Sequence, residues 1–213
     1  MSQIPYLEKS IRLALAIVGF PFTTLQALLS AYQLHKYKPI GERVWIDERY
    51  LHVNATGIPQ NHNPTVILES GMGGSTLDWC LVQPELSKLT KVISYDRAGF
   101  GWSISPNELP TCQHGVDDLR QLLQNMNLKP ELSANQLKSA QPLKHDLQVI
   151  VLSAGRQSEE WKKDQEKLLH LTEKTTQIVV EESWHSIQIY QPQAVIDAVK
   201  RILDNNRKRS TNV

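Results

Sequence analysis

Apolar and polar residues alternate in three regimes along the chain. Leu13 to Leu34, LALAIVGFPFTTLQALLSAYQL, is 22 residues without a charge, with Lys9 and Arg12 before it and His35, Lys36 and Lys38 after it. A helix of about 20 apolar residues spans a bilayer, so this length fits membrane anchorage, spanning or interfacial. Thr23, Thr24, Gln26 and Pro21 interrupt its apolar character, and no small-x-small cleavage pattern follows it. A bland reading, an amphipathic helix packed on a domain, fits the same residues. Basic residues flank both ends, so orientation is not readable.

After the linker KYKPIGE the period shortens to two. RVWIDE and RYLHVNATG alternate as a hairpin, with Gly57 closing it. Four continuous apolar runs then read as buried strands: PTVILES, KVISYD, LQVIVLSAG and TQIVVEES. Helical spacing fills the intervals. Ser75 to Leu89 reads as a helix interrupted near Pro84, Val116 to Met126 as an amphipathic helix with Leu119, Leu122 and Leu123 on one face. Glu131 to Ala140, Glu159 to Thr172 and Gln193 to Asn205 complete the set. Strands alternating with helices predict an α/β fold, a mainly parallel sheet with flanking helices. The expected domains are residues 1–38, helix and linker, and 39–213.

Composition changes this picture little. Apolar residues make up 40% and charged residues 21% of 213, an ordinary globular balance, and the net charge of +1 gives no reason to expect nucleic acid as a partner. Two cysteines, Cys80 and Cys112, make no disulfide framework and are expected in the core or half-buried. No CxxC or His-rich cluster suggests a metal, and no cofactor is expected.

Candidate chemistry begins at ESGMGGSTLDW, Glu69 to Trp79. Glycines at the end of a buried strand let the backbone turn sharply and leave N–H groups free for an anion. One reading is dinucleotide binding, with Asp96 ending the next strand as a ribose-binding acid. Thr76 at the third glycine position and Pro84 in the following helix argue against it.

The other reading comes from a resemblance. PTVILESGMGGSTLDWCLVQPELSKLTKVISYDRAGFGWS resembles the N-terminal half of membrane-anchored, single-domain α/β hydrolases, and DRAGFGWS is similar to that family's DRxGxGxS signature. VLSAG, with Trp161 and Gln165 downstream, and then VVEESWHSIQIYQPQAVIDAVKRIL, resemble its last two strands, its catalytic-histidine loop and its closing helix. The resemblance implies a serine hydrolase of esters or related carboxyl derivatives. By it, Met72 offers an oxyanion-hole N–H, Gly71 and Gly73 shape the turn, and His185 is the general base. A small residue usually precedes that histidine in the family, whereas this chain has Trp184.

The middle of the family pattern is missing. A nucleophile elbow needs GxSxG, and the sequence contains none. NLKP, ending at Pro130, runs directly into ELSANQLKSAQPL, so about two βα units of ~30 residues each are absent, the serine among them. Ser153 in VLSAG is a weak substitute, because the first glycine of its turn would be Val151. Glu159, Glu160 and Asp164 are available as a triad acid but read as surface charges, and Asp117 and Asp118 as charges favouring a helix dipole. The resulting expectation is a truncated α/β-hydrolase fold behind an N-terminal apolar helix, inactive as written, of marginal stability, with its last two strands pairing beside PTVILES in a six-stranded sheet. The alternative is a non-catalytic membrane-anchored binding module that takes a small ester-like ligand. In either case the expected location is the membrane through the N-terminal helix, and otherwise the cytoplasm.

Overall fold

A computed structural model of the chain describes residues 4–60, 63–106, 111–128 and 144–210. It divides into two units, residues 1–40 and 41–213. The helix expected over residues 131–140 lies outside the described residues.

The first unit is a single helix, Ile4–Lys36, with Pro21 inside it. Thr23 and Thr24 turn their hydroxyls back to the Phe20 carbonyl (2.9 and 2.7 Å), which hides those polar groups on the helix surface. The stretch Glu8–Ser30 is 23 residues with a mean hydropathy of 1.7, long and apolar enough to cross a membrane. Most of its large apolar side chains, Leu13 to Leu29 among them, are exposed.

The second unit contains six described strands: β1 (Glu42–Ile46), β2 (Arg49–Thr56), β3 (Val66–Glu69), β4 (Val92–Tyr95), β5 (Gln148–Ala154) and β6 (Lys174–Val180). β1 and β2 form the expected hairpin, but its turn is Asp47–Glu48, with Asp47 at φ +48°. Gly57, at φ +73°, instead follows β2 where the backbone passes against the Thr90 and Ser87 carbonyls.

The sheet departs from expectation in two ways. β1–β2 and β2–β4 are antiparallel while β3–β4 and β5–β6 are parallel, so the pairing is mixed rather than mainly parallel. The hairpin causes this, because β2 occupies the place beside β4 that another parallel strand would take. The strands also form two sheets, β1-β2-β4-β3 and β5-β6, not one of six. β3 and β5 are not joined by a ladder.

Both faces of β4 are buried, as its continuous apolar sequence requires. Ile93 and Tyr95 face one core with Ile46, Leu51, Val53 and Leu122, the last supplied by the helix Cys112–Asn125. Val92 faces a second core with Leu68, Val82, Leu86 and Ile196. Ile196 belongs to the closing helix Pro192–Ser210, which also touches β5 and so bridges the two sheets.

The helix after β4 begins four residues before the expected Val116. Thr111 caps it, its hydroxyl accepting from the His114 N–H (3.2 Å). Asp117 and Asp118 therefore sit in the second turn, not the first, and Asp118 instead pairs with Arg49 of β2. Cys80 and Cys112 are both exposed rather than buried.

Candidate functional site

Four loops leave the carboxyl ends of the parallel strands, and each is closed by its own hydrogen bonds. After β3, Ser70 donates its hydroxyl to the Ser75 carbonyl (2.7 Å). Ser75 caps the short 3-10 turn Thr76–Trp79 by accepting from Leu77 N–H (3.3 Å), and Asp78 reaches back to the Ser75 N–H (3.3 Å). This reciprocal cap is the reason the chain turns so soon after the strand. Gly74 N–H donates to the Gly71 carbonyl (3.1 Å), and Gly73 adopts φ +83°, which a residue with a Cβ disfavours. The tip of the loop is thus thrown outward. Met72 is 91% exposed, and the N–H groups of Met72 and Gly73 have no acceptor among the described residues.

After β4 comes DRAGFGWS, and Asp96 organises it. The Asp96 carboxylate is fully buried. Oδ1 accepts the Thr76 N–H (2.6 Å), while Oδ2 accepts the Trp102 N–H (2.9 Å) and bonds His52 Nδ1 (2.9 Å). One side chain thereby ties the glycine loop, its own loop and strand β2 together. Burial opposes its ionisation, but the bonds from His52, Trp102 and Thr76 outweigh that and hold the carboxyl below the usual aspartate range. Gly101 is required here at φ +52°, because a Cβ would overlap the carboxylate. The Trp102 ring packs edge-on against His52 (5.2 Å between centroids). Asp96 is consequently no ribose ligand: both its oxygens are spent inside the protein, and the dinucleotide reading loses its acid. Nearby, burial and then the Glu69 charge push the Tyr95 phenol up, away from any acid–base use at neutral pH.

The loops after β5 and β6 are laced to each other. Gly155 N–H donates to the Val180 carbonyl (2.9 Å) and Arg156 N–H to the Ser183 carbonyl (3.0 Å). A Cβ on Gly155 would stand 2.5 Å from the Glu181 backbone, so glycine is what lets the loops meet. His185 follows, exposed, with its carbonyl accepting from Ile187 N–H (3.1 Å). Its ring meets the edge of Trp161 (6.1 Å, 78° between planes) rather than a carboxylate. Of the acids considered from the sequence, Glu159 pairs with Lys162 (2.8 Å) and Asp164 with Lys167 (2.6 Å), and among the described residues no bond joins Glu160 to His185; Glu182, three residues before the histidine, pairs with Arg156. Trp184, before the histidine, is 50% exposed, its ring available at the surface of the same loop.

Met72 and His185 therefore occupy loops at carboxyl ends of strands, and the segments just beyond them, Thr76–Trp79 and Ile187–Tyr190, are in contact. Ser153 is differently placed. It lies inside β5, buried, and its hydroxyl accepts from Gln177 Nε2 (2.8 Å). What sequence reasoning missed is the structural role of Asp96, which it weighed only as a ribose-binding acid; the one available signal was its place at the junction of a buried strand and a Gly-x-Gly loop.

No protein-family model matches the chain, and no curated protein matches its sequence. Solved structures do. A thermophilic esterase from Thermogutta terrifontis superposes with a TM-score of 0.62 at 14% identity, over 78% of this chain and 99% of that one. An enol-lactonase from Burkholderia xenovorans LB400 gives 0.63 at 12%, over 76% and 100%. A predicted CIB-like hydrolase from Thermoplasma acidophilum gives 0.59 at 13%, over 76% and 97%. The fold is α/β-hydrolase-like. At these identities the likeness speaks for the fold alone.

Proposed function

We propose that this chain is an α/β hydrolase in descent, of the class that cleaves esters and related carboxyl derivatives, and that it does not turn over substrate in its present form. The reading is carried by His185, which has neither a carboxylate nor a hydroxyl partner among the described residues. A general base of this kind needs a hydroxyl to deprotonate and an acid to orient it, and the sequence has no GxSxG to supply the first. Met72, with Gly71 and Gly73 shaping its turn, then remains as half of an oxyanion hole. No cofactor and no nucleic-acid partner enters this reading.

Positioning without a nucleophile leaves little. Triad enzymes stripped of a member retain only about 10³–10⁴-fold acceleration over water, and a lost hole donor typically removes a further ~10²–10³. Purified protein should give no covalent adduct with a fluorophosphonate probe and should hydrolyse short-chain esters no faster than His185→Ala. Stoichiometric labelling that maps to Ser153 or another serine, and disappears on heat denaturation, would overturn the inactive reading.

The exposed apolar helix Glu8–Ser30 favours a second reading, a membrane-anchored binding module in which the free amides of the glycine loop hold an ester-like or carboxylate ligand. Saturable retention of such a ligand without turnover supports it. The same helix is the ground for proposing a membrane location.

A further inference from the structure

A cavity of about 410 Å³ opens at the amino ends of β5 and β6, the opposite end of those strands from the loops of the candidate site. Gln148, Lys174, Thr176 and Asn205 line it. Gln148 and Lys174 are partners in the parallel ladder, and Thr176 follows Lys174 by two, so the three project from one face of the sheet. The closing helix brings Asn205 to that face, where its Nδ2 donates to Gln148 Oε1 (3.1 Å). This bond occupies the Gln148 oxygen and leaves its Nε2 as a donor. Gln148 and Asn205 are half-buried and fix each other, while Lys174 and Thr176 are exposed and within reach of a ligand.

The hydrogen-bonding inventory of the cavity is one-sided. Among the described residues, neither the Gln148 amide nitrogen nor the Thr176 hydroxyl has an acceptor, and Lys174 has no carboxylate partner. Three donors, one of them cationic, thus line one cavity without a protein acceptor. Asn205 Oδ1 is the acceptor left over, suited to a ligand hydroxyl. Local charge agrees with the donors. Arg201, exposed and four residues before Asn205, shares its helix face, whereas Asp204 is turned about 100° away from Asn205 around the helix. The partial negative charge of the helix end acts over the last turn, and Asn205 precedes that turn.

We propose that this cavity binds a small hydroxylated organic anion, its phosphate or carboxylate head held by Lys174, Thr176 and Gln148 and a hydroxyl by Asn205. Small-molecule sites run from roughly 300 to 1,000 Å³, so the space holds an organic body as well as the head. Neither the glycine loop nor His185 takes part, so the proposal stands or falls apart from the function proposed above. A ligand here touches β5, β6 and the closing helix together, and so stabilises the folded chain by mass action.

The test titrates inorganic phosphate into the full chain in maltoside detergent at constant ionic strength and follows the phosphorus NMR line width. Broadening should saturate. Lys174→Gln, at an exposed position, should shift saturation to about tenfold higher phosphate or more, the loss of one charge-assisted hydrogen bond. Lys163→Gln, which removes an equally exposed charge elsewhere, should change nothing. Glycerol phosphate and glycerate then compete for the site, and the one that restores the sharp line at lower concentration than phosphate itself names the head group. If neither does, the hydroxyl contact with Asn205 is refuted. Broadening that never saturates, or that saturates identically in Lys174→Gln, overturns the whole proposal.

Discussion

Replacing Asp96 by alanine removes the acceptor of three buried donors at once: Thr76 N–H, Trp102 N–H and His52 Nδ1. Each buried donor left without an acceptor costs about 1–3 kcal/mol. A water entering the space can recover one of the three, so the expected loss is about 4 kcal/mol, a large part of a total stability on the order of 5–15 kcal/mol. Asparagine keeps one acceptor oxygen but turns an NH₂ toward a donor, and should cost about half as much. The assay is urea unfolding of the full chain in mild detergent, followed by near-UV circular dichroism. The two loops tied by Asp96 carry Trp79 and Trp102, whose signals should weaken even in the folded baseline of the alanine variant.

The charge adds a pH signature. Because the folded carboxyl titrates below its ordinary value of 3.8, the unfolded chain binds the proton more readily. Its contribution is complete above about pH 4, falls as pH drops through 3.8 and is gone below the folded value. The difference between wild type and Asp96→Asn should therefore shrink on acidification. An alanine variant within about 1 kcal/mol of wild type, or an Asn variant whose deficit does not change with pH, would refute the role given to Asp96.

Gly101→Ala tests the same geometry from the other side. Its Cβ would overlap the Asp96 carboxylate at a positive φ, so a loss of at least ~2 kcal/mol is expected, and a neutral variant contradicts it. For the mostly buried pair Arg49–Asp118, either single change, Arg49→Met or Asp118→Leu, should cost about 2 kcal/mol, while the double variant returns to within ~1 kcal/mol of wild type. Additive losses in that cycle would show the pair is not coupled. Burial, opposed by Arg49, raises the Asp118 carboxyl, so ionising it lowers stability as pH rises past its ordinary value of 3.8. Deleting residues 1–38 should move the protein from the membrane to the soluble fraction; unchanged partitioning removes the anchor.

β4 was legible because burial on both faces leaves an uninterrupted apolar run, VISY; β5 and β6 carry similar runs and form strands as expected, but β5 is only partly buried and β6, with Val179 exposed, is not the buried strand its sequence suggested. The capped turn after β3 was partly legible from Ser75 and Pro84. The start of the Cys112–Asn125 helix was not, since Thr111 and His114 cap it with polar atoms before the apolar period begins. Nor does any local pattern tell β5 which neighbour to choose. Strand pairing is a tertiary choice, and a strand read correctly gave the wrong sheet. The same holds for the site. His185 and the glycine loop were visible as motifs, whereas the Trp161 ring beside the histidine comes from 24 positions away and the donors Thr76 and His52 reach Asp96 from 20 and 44 positions away.

The split sheet also explains how the carboxyl-end loops persist without strands between them. None of the four depends on a ladder from β3 to β5. The first is held by Ser70, Ser75 and Asp78, the second by Asp96, and the last two by each other through Gly155 and Arg156. What the missing ladder removes is the register between the two sheets, and that falls to the closing helix. Ile196 enters the core with Leu68 and Val92, Asn205 donates to the Gln148 side chain at the start of β5 (3.1 Å), and Arg207 reaches Asn63 ahead of β3 (2.7 Å). Side chains from a single helix constrain two sheets less tightly than a shared ladder does, since a ladder fixes every residue of a strand. Loop geometry at each sheet is therefore expected to survive perturbations that change the distance between Met72 and His185. An acyl-transfer site needs that distance held to within ~0.5 Å, and here the closing helix and the contact between Thr76–Trp79 and Ile187–Tyr190 set it in place of a ladder.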